Sequence, residues 1–324
     1  MIRQSYKIQV KNMGEKLDII TIGESLIELS SQDSLGYAQT LNKYYGGDNL
    51  CTAIAASRLG SKAGYITRVG NDPFREYLLD SWQAESLDIS QVKLIDGFNG
   101  VYFVGHPECG PKEFVYYRKK TAATKLSIDD ISPEYILSAD VVYSTGVTQS
   151  LSLSAKEAVK KAFQVANERS MATAYDVNFD SRLWNNDEAK EAFDEISDYI
   201  DILFLSKEHD LEKVFDIEST DKAIKHFWDL GIKTVVIKSA SDKGYFVGFE
   251  GDVIFVKFYT EEVVDSTSSG DAFNGAFLHG LNSGMTAFEA AKLASIVAGL
   301  QCKGMGAIKS IPYKDEAYSA YYRQ

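Results

Sequence analysis

Residues 265–273 read Asp-Ser-Thr-Ser-Ser-Gly-Asp-Ala-Phe, and this short run holds the residue types needed to move a phosphoryl group. The stretch before it, Val253 to Val264, alternates as strands do, and the run after it, Ala272 to Leu281, has the small and apolar residues of a packed helix. Gly270 and Asp271 therefore sit where a loop enters a helix. The first amides of a helix have no partner inside it and carry partial positive charge. A loop that lets the backbone approach closely there makes a phosphate cradle. The amides of Ser269, Gly270 and Asp271 form the expected hole for charge on a transferring phosphate. A carboxylate is out of place beside a bare phosphate unless it takes a proton from an attacking hydroxyl, so Asp271 is the expected general base. The competing reading of Asp271 is a plain helix cap.

The elements that must position this run are legible from hydrophobic periodicity. Strand-like runs cover Ile19–Ile22, Gly64–Thr67, Val141–Ser144, Thr173–Val177, Ile202–Leu205 and Thr234–Lys238. Helical patterns fall between them. Ser154 to Glu157 reads as a capping box opening a helix over 155–168, and Thr286 to Glu289 as one opening the run to Cys302. The alternation predicts an α/β fold, a mostly parallel central sheet flanked by helices on both faces. Two stretches, 28–45 and 98–119, break it. Both are rich in Tyr, Phe, Val and Gly and read as β without intervening helices.

Composition bounds the partners. The chain has 324 residues, 45% of them hydrophobic and 25% charged, enough for a large core. A formal net charge of −12 argues against nucleic acid as a partner. It also means that an anionic substrate must be met by individual Lys and Arg side chains. Three widely spaced cysteines, Cys51, Cys109 and Cys302, read as reduced thiols, and four scattered histidines give no zinc pattern. Residues 1–17 read as a polar extension without the apolar core of a secretory signal, and no run approaches the about 20 apolar residues of a membrane span. A cytoplasmic protein without membrane contact is the expectation.

The nonapeptide resembles the C-terminal signature of the ribokinase-like (PfkB) carbohydrate kinases, with Asp265, Thr267, Gly270, Asp271 and Phe273 matching. Further segments resemble that family in the family's order: Asp18 to Ser25, Tyr45-Gly46-Gly47-Asp48 leading into 52–60, and Val69-Gly70-Asn71-Asp72 with Phe74. Gly23 to Glu28, Tyr116-Tyr117-Arg118, Asp176 to Asn178 and Arg182 to Trp184 are similar to its 2-keto-3-deoxygluconate kinase branch. The resemblance implies a ribokinase-like domain over 18–324 whose two β stretches form a small β-sheet lid over the sugar site. It implies an ATP- and Mg²⁺-dependent kinase acting on the 6-hydroxyl of 2-keto-3-deoxygluconate. Another sugar kinase, such as a fructokinase, or a non-catalytic sugar-binding regulator are the alternatives. The glycine fingerprint of a dinucleotide oxidoreductase is absent after the first strand.

On this reading Arg118 grips the substrate carboxylate with its planar fork. Tyr102 and Tyr117 bond sugar hydroxyls or pack the lid, and Gly46 and Gly47 admit a polyol or make a turn. Asn178 and Arg182 follow a strand end, where ligands collect in open α/β sheets. For ATP the resemblance points to Lys207 and Asp210, to Lys238 through Gly244, to Ser268 and Gly270, and to Gly304 and Gly306 for the adenine. Asp265 is the candidate for a cation-linked role, with a turn-forming Asp as the other reading. Cys51, Asp180 and Ser268-Ser269 depart from the family pattern and leave the acceptor less defined than the chemistry. An open sheet face on the lid favours a homodimer.

Overall fold

A computed structural model describes residues 16–260 and 262–323; the polar extension expected at the N-terminus lies almost wholly outside them. In chain order the strands are β1 (Leu17–Ile22), β2 (Leu26–Ser31), β3 (Asn42–Gly46), β4 (Ala63–Ile66), β5 (Arg68–Gly70), β6 (Lys93–Ile95), β7 (Gly100–Gly105), β8 (Glu113–Tyr117), β9 (Ala139–Thr145), β10 (Ala172–Asp176), β11 (Ile202–Ser206), β12 (Thr234–Ser239), β13 (Gly244–Phe249) and β14 (Asp252–Lys257). Eight of them form the central sheet in the order β14-β13-β12-β11-β10-β9-β1-β4. From β12 to β4 every pairing is parallel, and β13 and β14 add an antiparallel edge. The sheet twice buries its faces, as parallel strands connected by helices must. Ile19, Tyr143, Ala174, Phe204 and Val236 pack towards the helices Asp48–Leu59, Ser269–Asn282 and Ala287–Gln301. Ile20, Val142, Tyr175, Leu203 and Val235 pack towards Leu153–Asn167 and Thr220–Asp229.

The period of two that sorts those core residues also delivers polar ones. Continuing the first set two residues on gives Thr145, Asp176 and Lys238, at the C-terminal ends of β9, β10 and β12. They emerge on the face that carries the Ser269–Asn282 helix. That helix lies against Asp48–Leu59 so closely that a side chain on Gly275 would come 2.3 Å from the carbonyl oxygen of Thr52.

The two anomalous β stretches form a separate sheet, β3-β2-β7-β8, as expected of a lid. Its inner face carries Leu26, Tyr102 and Val104, with Phe114 and Tyr116 against them. Its outer face exposes Val115 and Tyr117. Two local expectations change. The helix expected to open at Ser154 begins two residues earlier, with Ser152 as cap accepting the Ala155 N–H at 3.1 Å. The strand pattern read through Val264 ends as β14 at Lys257, because its ladder partner β13 starts at Gly244, opposite Lys257. Among the described residues no helix is long and apolar enough to cross a membrane.

Candidate active site

The nonapeptide closes a cleft of roughly 530 Å³ between the central sheet and the lid. Its loop is shaped from within. Asp265 is buried, and its carboxylate accepts the N–H groups of Thr267 at 2.9 Å and Gly306 at 3.1 Å while pairing with Lys112 of the lid at 2.5 Å. These contacts occupy the oxygens expected to serve a cation. Among the described residues no group of three or more His, Cys, Asp or Glu side chains is placed to hold a metal. Asp265 thus ties the loop rather than presenting a free metal ligand. Ser268 then turns the chain through the left-handed region, φ 61°, and the helix begins at Ser269. The Ser269 N–H is spent on the Ser266 carbonyl at 3.1 Å, which removes one of the three expected amides. Those of Gly270 and Asp271 make no hydrogen bond among the described residues and remain for an anion.

Asp271 is in the first turn but does not cap the helix. Its carboxyl is pushed up to about 8, first by burial, then by the negative Asp48 and Asp176; Lys238 and a hydrogen bond with Ser268 act the other way. Asp48 opens the Asp48–Leu59 helix directly after Gly46-Gly47 and accepts Thr145 Oγ1 at 2.5 Å and Asn178 Nδ2 at 3.3 Å. Gly47 has φ 138°, and a Cβ there would lie 2.4 Å from the Glu24 carbonyl, so only glycine makes this corner. Gly46 ends β3 of the lid, where a Cβ would meet the Tyr102 hydroxyl at 2.7 Å.

The cleft brings together Gly47, Tyr102, Arg118, Asn178, Arg182, Ser268 and Asp271 from the expected set. Tyr102 is buried and its hydroxyl is bonded to Glu28. Arg118 is buried, and its guanidinium is held against the buried Glu24 rather than standing free. Burial lowers its pKa to about 10. Arg182 is gripped on two nitrogens by Asp180, at 2.8 Å each, and lies over the Tyr116 ring. Tyr117 points away: it is 66% exposed on the outer lid face, and Tyr116 takes the cleft position.

Several residues expected on the ATP side take partners within the protein. Lys207 pairs with Asp242 at 2.7 Å, and Asp210 is buried with its carboxylate accepting the amides of Ser206 and Phe179, so neither lines the cleft. Their neighbours His209 and Lys213 do. Lys238 stands one residue before the end of β12, ahead of the turn that leads to Gly244 at the start of β13. Its Nζ lies 2.6 Å from Asp176 and close against Gly270. Gly244 packs under Phe255, and Gly304 packs on Ser310 behind the Asp265 loop. Glu24, Asp48, Lys112, Tyr116 and Asp176 complete the site and were not singled out as ligands from sequence.

These features are those of an enzyme that transfers phosphate to an alcohol on a ribokinase-like fold. The model of the pfkB family carbohydrate kinases matches residues 16–314, and the chain belongs to that family. A 2-dehydro-3-deoxygluconokinase of Thermoproteus tenax is 31% identical over 93% of this chain and 93% of its own. A 5-dehydro-2-deoxygluconokinase of Clostridium beijerinckii is 30% identical over 89% of each. An E. coli protein described as a ribokinase II, solved in complex with ATP and Mg²⁺, superposes with a TM-score of 0.87 at 24% identity, covering 95% of this chain and 100% of that one. The protein is accordingly a sugar kinase, a phosphotransferase with a sugar as acceptor.

Proposed function

We propose that this kinase phosphorylates the 6-hydroxyl of 2-keto-3-deoxygluconate, with ATP as donor and Asp271 as general base. The observation that carries the reading is the half-buried Asp271 carboxylate beside two unspent helix amides in a cleft lined by Arg118, Tyr102 and Tyr116. The acceptor hydroxyl gives its proton to Asp271 as its oxygen bonds the γ-phosphorus, and ADP leaves. The amides of Gly270 and Asp271, with Lys238 beside them, stabilise charge on the moving phosphoryl. Mg²⁺ supplies charge neutralisation on the phosphates. The unpartnered Oδ1 of Asp176 is a hard oxygen donor of the kind it takes. Arg118 holds the acceptor carboxylate. The names of both similar kinases denote oxo-deoxygluconates, which are sugar acids.

Glu24 favours a second reading. With Arg118 already paired, a neutral sugar would fit the cleft without a charge conflict. A coupled ADP-release assay over sugar acids and neutral sugars decides between them. Turnover on 2-keto-3-deoxygluconate well above that on fructose is expected, and the reverse order overturns the sugar-acid reading. A cytoplasmic enzyme, where ATP is available, is part of the proposal. So is a homodimer joined through the outer lid face, where Phe98 and Tyr117 are exposed.

A further inference from the structure

Three of the cations that line the cleft already face a carboxylate. Lys112 pairs with Asp265, Arg182 with Asp180, and Arg118 with Glu24. A sugar acid brings one more negative charge beside these three pairs, where it competes with a carboxylate already present. They are not equivalent. Asp265 accepts two backbone amides, and Asp180 accepts the Arg182 N–H as well as its guanidinium. Glu24 is 1% exposed, lines the cleft, and has no hydrogen bond on either oxygen among the described residues. Arg118 likewise keeps an Nε–H without an acceptor. A guanidinium fork offers two parallel donors to a carboxylate, and here they are incompletely used.

We infer that Glu24 is a specificity-determining residue: its carboxylate occupies Arg118 as the carboxylate of a sugar acid would, and so sets how strongly the cleft favours an acid over a neutral sugar. This rests on the sugar-acid reading. The consequence runs against the usual result of altering a buried site residue. Replacing Glu24 by its uncharged isostere removes a like charge from the incoming carboxylate while keeping the shape, so discrimination in favour of the acid increases.

The test measures KM for 2-keto-3-deoxygluconate and for fructose in the wild type, in Glu24→Gln and in Glu24→Gln/Arg118→Gln. In Glu24→Gln the ratio of the fructose KM to the acid KM should rise about tenfold, the scale of one like-charge neighbour. The double variant should lose that gain, because no guanidinium remains. Glu24→Ala is measured alongside, in case the amide disturbs folding, and the same rise is expected. A ratio that stays constant, with both KM values moving together, means Glu24 only supports the site and overturns the inference. A wild type that turns over no acid sinks the sugar-acid reading instead, so the two failures are told apart.

Discussion

Lys238 and Asp176 stand on strands separated by β11, yet the ammonium lies 2.6 Å from the carboxylate, and Asn274 from the catalytic-face helix donates to the same oxygen at 2.6 Å. The pair is mostly buried, and it places a positive charge among Asp48, Asp176 and Asp271. Lys238→Met should cost about 3 kcal/mol of stability, since removing one partner leaves a buried charge uncompensated. Asn274 keeps the loss at the low end of that range. The acidic limb of kcat/KM should also move to higher pH, because Lys238 holds the Asp271 carboxyl down. Urea melts and a pH profile of the variant check both.

Asp271 gives the pH dependence its sign. Its folded pKa, about 8, is raised above an unfolded value of roughly 3.9. The native state therefore keeps a proton that the unfolded chain has lost, and its stability falls as pH rises from about 4 through about 8. Activity moves the other way, since a base must be unprotonated. Asp271→Asn should lower kcat by about 100-fold or more at every pH and abolish the acidic limb. It should melt higher than the wild type at pH 9, where the wild-type carboxylate is charged, and close to it at pH 5. Near-normal turnover in a folded variant removes Asp271 from the role of base.

Arg118→Leu should raise KM for the sugar acid some 30- to 1,000-fold, about 2–4 kcal/mol for a charge-assisted contact, and change KM for fructose several-fold at most. The ion pair with Glu24 complicates the single variant, because it strands a buried carboxylate. Arg118→Leu/Glu24→Gln removes that penalty. Its thermal melt should recover towards wild type while its KM for the acid stays high.

The two tyrosines of β8 separate inner from outer lid. Tyr116→Ala should raise KM for the acceptor, because the ring lines the cleft and lies under Arg182. Tyr117→Ala should leave steady-state kinetics within about twofold, as surface substitutions away from a site do. The opposite pattern would place the lid the other way up.

Local signals carried most of the fold and the heart of the site. A helix start is a matter of neighbouring residues, so the loop, Gly270 and Asp271 were readable where they stand. Alternation likewise placed six sheet strands. Tyr116 rather than Tyr117 lines the cleft, and sequence does not show it, because a period of two fixes which residues share a face but not which face turns inward; the packing of Leu26 and Tyr102 decides that. Lys207 and Asp210 do not line the cleft because each is held by a partner that sequence does not reveal, Asp242 for the one and the amides of Ser206 and Phe179 for the other. Glu24 and Lys112 meet partners 94 and 153 residues away in sequence. No local pattern announces such pairs.

On the proposed function, the Lys112–Asp265 contact joins the lid over the acceptor to the loop that would cradle the phosphates. Each ligand is therefore read by the other's half of the protein. If closing the lid on an acceptor alters this ion pair, ATP affinity must change, and ATP must alter acceptor affinity by the same factor, because binding free energies form a closed cycle. Lys112→Met cuts the tie. Calorimetric titration of each ligand, with and without the other bound as a non-reacting analogue, should show mutual coupling in the wild type and independent binding in the variant.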